Sequence, residues 1–352
     1  IGYNMAYTTI DDPSKYFQTA LYTSNNTNRT ITNDGNSDLQ PDFLWGKSRS
    51  FAEDHNLVNT SVGVTKHLVS NSSAAEVTDT DRVTGVTSNG FSIGTDHRWN
   101  RESNSNMAVW QWKANGGTTT TNDASATGIG NTDSVYQANT EAGFSIVTFS
   151  GTGSGMTVAH GLGGTPTLII SKARNDTENW AVHTTLIDGS LDYLRLSETD
   201  AAGNSSFSLP TSTVFGYNGS NNYIAYCFRS IQGYSKIGTY IGNGDGNNTA
   251  ADGTFVYTGF KPAWVMVKSS TVTQGWNIFD NKRTPTNEMG AFLFADTADA
   301  ETTGYDAMDF LSNGFKLRKN LNGANDSGQT YVYMAFAENP FVSSKGVPTT
   351  AR

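Results

Sequence analysis

The chain is poor in cysteine, charge, proline and long apolar runs, and each shortage removes a class of protein. A single cysteine, Cys227, rules out any disulfide within the chain. It stands between Tyr226 and Phe228 in an alternating stretch, where it reads as a buried, inert thiol. The five histidines (His55, His67, His97, His160 and His183) include no pair at metal-ligand spacing, which argues against zinc. Charged residues make up 16%, and the formal net charge of −9 provides no basic face to displace counterions, so a nucleic-acid partner is not expected. The longest unbroken apolar stretch, Tyr331 to Ala337, is too short to cross a bilayer, so membrane insertion is not expected either. No charged, apolar leader opens the chain; Met5 reads as a natural start after four upstream residues. The expectation is therefore that, if the protein works outside a cell, it left by lysis or assembly, not through a signal peptide.

Aromatic residues reach 11%, there are 36 glycines, and Ser, Thr and Asn crowd the spaces between short apolar runs. Short strands joined by polar turns produce this composition, whereas helices would need more Ala, Leu, Glu and Lys. An all-β chain is expected.

Three of the eight prolines mark a repeat. Pro41-Asp-Phe-Leu-Trp-Gly-Lys47, Pro166-Thr-Leu-Ile-Ile-Ser-Lys172 and Pro262-Ala-Trp-Val-Met-Val-Lys268 each comprise a proline, an apolar run and a lysine six positions on. Apolar residues at both parities indicate strands covered on both faces. A second landmark follows each: Ser88-Asn-Gly-Phe91, Val214-Phe215 and Ser312-Asn-Gly-Phe315. A third closes each: Val109-Trp-Gln-Trp112, Ala225-Tyr-Cys-Phe228 and Tyr333-Met-Ala-Phe336. A fourth lies upstream, at Tyr22, Phe149 and Tyr240. Four landmarks in one order, three times over, indicate three diverged copies of one unit, spaced too widely for a solenoid. The expected fold is three tandem jelly-roll-like (concanavalin-like) β-sandwich domains. Repeat one covers 1–114, a Gly/Thr/Asn-rich linker 115–140, a shortened repeat two 141–232, repeat three 233–340, and an extended C-terminal tail 341–352.

Candidate sites are few. Trp180 and Trp276 fall fourteen residues after Pro166 and Pro262, where the first copy has His55. An aromatic there belongs in a sandwich core; the sharper alternative is a platform for stacking sugars. Trp99, flanked by His97 and Arg98 in a polar loop, is the better exposed candidate for ligand binding. Asp245, Asn247 and Asp252 lie in a Gly/Asn-rich turn whose oxygens suit calcium, although the turn lacks a calcium-loop signature and reads first as a plain hairpin. His160 sits in a glycine-rich turn without the Gly-Lys-Ser/Thr of a phosphate loop. No nucleophile elbow is present, no other cofactor is implied, and an enzyme is not expected.

The phrases Met5 to Thr19, Leu39-Gln-Pro-Asp-Phe-Leu-Trp45, Gly259-Phe-Lys-Pro-Ala-Trp264, Asp280-Asn-Lys-Arg283, Asp309 to Phe315 and Tyr333 to Phe341 resemble structural proteins of marine bacteriophages. The similarity covers nearly the whole chain. It implies a virion or tail-fibre-like particle component, carries no catalytic residues, and places the protein on the virion among other virion proteins. A fibre- or spike-like surface protein that attaches to a host surface or its glycans is the leading expectation. A self-assembling or capsid-decorating protein without receptor binding is the alternative, and a glycan depolymerase, which needs facing carboxylates in a groove, is the third. Apolar surface left over after each sandwich closes would meet a neighbour, so a homo-oligomer, a trimer for instance, is expected.

Overall fold

The strands that follow Pro41, Pro166 and Pro262 carry apolar side chains on both faces, and each face has a separate destination. The computed structural model describes residues 6–102, 104–245, 252–318 and 323–349; Met5 and the four residues before it fall outside this range. The regular structure among the described residues is almost all strand, with two one-turn α-helices and a single 3-10 turn at Pro13–Lys15, and the strands pair antiparallel in every sheet.

One four-strand order recurs three times: an opening strand, the closing strand, the proline strand, then a short strand just after the residue fourteen beyond each proline. In the first copy these are Phe17–Thr23, Asn106–Trp112, Phe43–Ser48 and Asn56–Asn59. In the second they are Phe144–Ser150, Asn222–Phe228, Leu168–Ala173 and Ala181–Thr184, followed by Asp192–Arg195 and Gly203–Asn204. The third has Ser235–Ile241, Thr330–Pro340, Phe260–Ser269 and Asn277–Asp280, then Leu293–Phe294. A smaller outer sheet covers each: Arg29–Thr32, Gly90–Ile93 and Val83–Thr87; Gly153–Ala159 and Val214–Gly219; Phe255–Tyr257, Gly314–Leu317 and Met308–Leu311. The all-β sandwich expectation holds.

Strand alternation divides the core. Leu44, Ile169 and Val265, at odd positions after their prolines, point into the interior of their own sandwich. Phe43 and Trp45, Leu168 and Ile170, and Trp264 and Met266, at even positions, all enter one common cluster. The inner sheets of the three copies thus pack on each other. At the centre stand Trp112, Phe228 and Phe336, the equivalent ends of the three closing strands. Their ring centroids lie 6.4, 5.6 and 6.1 Å apart, and all three contacts are edge-to-face. Phe43 stacks on Tyr226 at 4.2 Å across the same centre. Full burial of each such ring stabilises the fold by roughly 2–3 kcal/mol before packing terms. The three copies are arranged as a ring about this aromatic triangle.

Two expectations need correction. The segment 115–140 is not a bare linker: Ser134–Asn139 pairs along Phe144–Ser150, and Thr120–Asn122 pairs with Ser134–Asn139 in turn. Between them Asp123 caps a single helical turn, Ala124–Thr127, that ends at Gly128 with φ of 68°. Threonine-rich residues serve at a sheet edge because backbone pairing there needs no apolar face. The tail is not extended either. Val342 bridges Pro348, and the Ser344 backbone N–H donates to Asp11 Oδ1 at 2.6 Å, so the tail folds back onto the start of its own chain. No helix among the described residues is long and apolar enough to cross a membrane.

Candidate functional site

The lysine that ends each proline phrase is the first polar side chain to recur in all three copies. Lys47, Lys172 and Lys268 are buried. Each Nζ donates to the carbonyl of the next residue: Ser48 at 2.8 Å, Ala173 at 2.6 Å and Ser269 at 2.8 Å. A buried ammonium requires such partners. Burial still pulls each lysine down to about 8, against the opposing pull of Glu53, Glu178 and Asp296 respectively. Lys47 also reaches Ala298 O in the third copy, and Lys268 reaches Thr199 O in the second, both at 3.1 Å. The second bond of Lys172, to Asp176 O at 3.1 Å, stays within its own copy.

The residue fourteen beyond each proline closes the ring. Trp180 Nε1 donates to Val69 O in the first copy at 2.7 Å, and Trp276 Nε1 donates to Arg195 O in the second at 2.8 Å. His55 Nδ1 accepts from Trp45 Nε1 at 2.8 Å, which leaves the imidazole proton on Nε2, 2.8 Å from Phe294 O in the third copy. First reaches third, second reaches first, third reaches second. The backbone repeats the seam: the carbonyls of Arg49, Arg174 and Ser270 accept from the N–H of Glu301, Glu76 and Ala202 at 2.9, 2.8 and 2.9 Å. Ion pairs reinforce two of the three seams, through Arg49–Glu301 and Arg174–Glu76.

The second copy departs from this scheme in one region. Its outer sheet has two strands where the others have three, and the segment 205–213, which includes Pro210, forms no strand. At the register where the first and third copies place Val58 and Phe279 in their sandwich cores, the second has His183. Where they have the buried Asn56 and Asn277, it has Ala181. The outcome is an open cleft of about 300 Å³. His183 and Tyr193 are cross-strand neighbours lining it, and Gly203 is the next cross-strand neighbour of Tyr193. The Tyr193 ring lies against Gly203, where a Cβ would come within 2.9 Å of it. Phe207 and Tyr217 flank His183, with centroids at 5.0 and 6.3 Å, and Tyr217 Oη donates to Ser171 Oγ at 3.2 Å.

His183 is 6% exposed, and among the described residues its imidazole makes ring contacts but no hydrogen bond. Burial alone pulls it down to about 4, so it is neutral at physiological pH. At the rim, Arg195 is engaged by Glu198 and Asp200 at 3.0 and 3.1 Å, and Glu178 accepts from Asn221 at 2.6 Å. A larger groove of about 840 Å³ in the third copy is lined by groups already paired: Asn287 exchanges two hydrogen bonds of 3.0 Å with the Phe310 backbone, and Lys261 meets Glu338 at 2.7 Å.

The residues expected to bind ligand do not converge. Trp99 is fully buried in the first copy's own core, its ring packed over Gly46 and edge-on to Phe91 at 5.9 Å. The Asp96-capped turn His97–Asn100 swings it inward, so it presents no face to a sugar. His97 and Arg98 stay outside, near Asp96 at 3.6 and 3.9 Å. Trp276 belongs to the shared core and is likewise closed to stacking, whereas Trp180, fully buried in the same core, borders the second-copy cleft without presenting an exposed face to it. His183, Tyr193 and Tyr217 were missed; aligning the copies would have singled out His183 opposite Val58 and Phe279. Of the calcium candidates, Asn247 lies outside the described residues, Asp252 pairs with Lys316 at 2.9 Å, and the Asp245 carbonyl accepts from Asn325 at 2.9 Å. His160 Nδ1 accepts from the Leu162 N–H at 3.2 Å and fastens its own turn. Cys227 is buried, and burial pushes its thiol up to about 12.

A family described as a domain of unknown function (DUF7483) matches residues 12–340. No curated protein and no solved structure matches the chain.

Proposed function

The chain belongs to the DUF7483 family, and we propose that it is a non-catalytic structural protein on the surface of a bacteriophage particle, fibre- or spike-like, that contributes to host-surface attachment. The observation that carries this reading is the closed ring. The polar positions common to all three copies, the residue fourteen beyond each proline and the seam carbonyls, hold the copies together, and two of the three buried lysines, Lys47 and Lys268, reach across as well. What the copies share is assembly, not chemistry. One chain here supplies a threefold cross-section of the kind that trimeric fibres build from three chains, and the whole-chain resemblance to virion proteins points the same way. Immunogold electron microscopy of particles, together with adsorption of the purified chain to host cells, tests the proposal. Surface labelling with saturable adsorption is expected. Absence from particles would overturn it, and labelling without adsorption would reduce it to a purely structural role.

A second reading, a self-assembling or decorating protein without a receptor, is favoured by one specific feature. Phe255 and Tyr257 lie on an edge strand of the third copy's outer sheet and are 45% and 48% exposed. An edge strand bearing exposed aromatics suits contact with another subunit. Mass photometry that gives a stable oligomer, lost on Phe255→Lys, would support this reading over the first.

A further inference from the structure

We infer that the open cleft of the second copy is a binding site for an uncharged, hydroxylated ligand, a sugar residue of a surface glycan, bonded by His183 and flanked by the Tyr193, Phe207 and Tyr217 rings. This assignment deepens the attachment reading above and rests on it for its biological sense.

The three copies serve as controls for one another. Where two of them fill the sandwich with Val58 or Phe279 and cover it with a third outer strand, the second copy omits the strand and substitutes an imidazole and the small Ala181. A core position made polar and left open is destabilising unless the polar group has a partner. The protein supplies His183 none among the described residues, and its ring nitrogens are not sealed from solvent, so the partner is whatever fills the cleft, water or ligand.

The chemistry of the imidazole narrows the ligand. A neutral histidine presents one donor and one acceptor, and a hydroxyl group can satisfy either nitrogen. A carboxylate would satisfy only the N–H, and a cation only the lone pair. The one guanidinium at the rim, Arg195, already faces Glu198 and Asp200, so no free positive charge recruits an anion. Aromatic walls with a few polar groups suit the apolar faces and hydroxyl edges of a sugar ring. The volume of about 300 Å³ accommodates one such residue.

The test titrates the intact chain with a panel of neutral monosaccharides and short neutral oligosaccharides, followed by saturation-transfer NMR. His183→Phe installs the third copy's residue, and Ala181→Asn restores the side chain that both other copies use. At least one neutral sugar should bind. His183→Phe should weaken it by about tenfold or more, with the melting temperature unchanged or raised, and Ala181→Asn should weaken it by narrowing the cleft. Failure of every neutral sugar at millimolar concentration would overturn the assignment. So would binding of charged sugars alone, or binding unaltered in both variants. Host-cell adsorption separates the two claims: undiminished adsorption by His183→Phe sinks the cleft and leaves the attachment reading standing, whereas sugar binding without wild-type adsorption does the reverse.

Discussion

Arg49 and Glu301, 252 positions apart in the chain, form a two-pronged ion pair across the seam between the first and third copies, with N–O distances of 2.8 to 3.1 Å. Glu301 also takes Arg283 Nη1 at 2.9 Å, and Arg283 in turn holds the fully buried Asp280, which accepts from Trp110 Nε1 at 2.9 Å. Removing the shared carboxylate leaves a buried guanidinium short of a partner. Glu301→Ala is expected to lower unfolding stability by about 3–5 kcal/mol. Lys261→Ala, which breaks a partly exposed pair with Glu338, should cost under about 1 kcal/mol. Urea denaturation of both variants checks the contrast, and equal losses would refute the buried-network account.

The third seam has lost both members of this pair. Ser270 and Ala202 stand where Arg49 and Arg174 face Glu301 and Glu76, while the backbone bond between them persists at 2.9 Å. Ser270→Arg and Ala202→Glu together should show a favourable coupling of about 0.5–1 kcal/mol in a double-mutant cycle. A coupling of zero would mean that the third seam does not share the geometry of the other two.

The three buried lysines make stability rise on the alkaline side. At pH 7 each is charged in both states, so the cost of burying the ammonium is fully present. Above about 8 the folded protein gives up protons that the unfolded lysine, titrating near 10.5, still holds. The unfolded state then binds more protons, and stability must increase with pH. The gain between pH 7 and 9 is on the order of 1 kcal/mol per lysine. Chemical denaturation across that range should show it, and Lys268→Met should reduce the slope by about a third, its share among three such lysines. A flat profile in the wild type would contradict the burial of these groups.

Acid acts in the opposite direction through the histidines. His67, His160 and His183 are pulled down to about 4 by burial, against an unfolded value of 6.5. As pH falls below 6.5 the unfolded chain takes up protons that the folded one refuses, so stability drops between pH 6.5 and 4. Each group contributes up to about 3 kcal/mol when fully expressed. His183→Phe should make this acid limb shallower, and an unchanged limb would show that His183 takes up its proton at the same pH in the folded and unfolded chains.

Much of the architecture was legible because the repeat carries its own phase. Pro41 and Pro166 stand just before, and Pro262 within, the strand that takes the same sheet position in each copy, and apolar residues at both parities signalled that both faces are covered. What covers the second face was not legible. Nothing in the spacing of Phe43 and Tyr226 reports that their rings stack at 4.2 Å, because the distance between copies is set by packing and not by chain separation. Trp99 was misread as exposed because polar neighbours surround it in sequence; the sign of its inward turn was Gly46, whose missing side chain makes room for the ring. The cleft was hidden for the opposite reason. His183 lies in an ordinary strand phrase, and only its mismatch with Val58 and Phe279 marks it.

The ring joins the first copy to the last, and this determines when the molecule can finish folding. While the ribosome is still making the third copy, Phe17, Trp110 and Trp112 have no partner for one oily flank, since Trp264 and Phe336 do not yet exist. A product that stops before Pro262 would expose that flank permanently and clump, however well its finished sheets were paired.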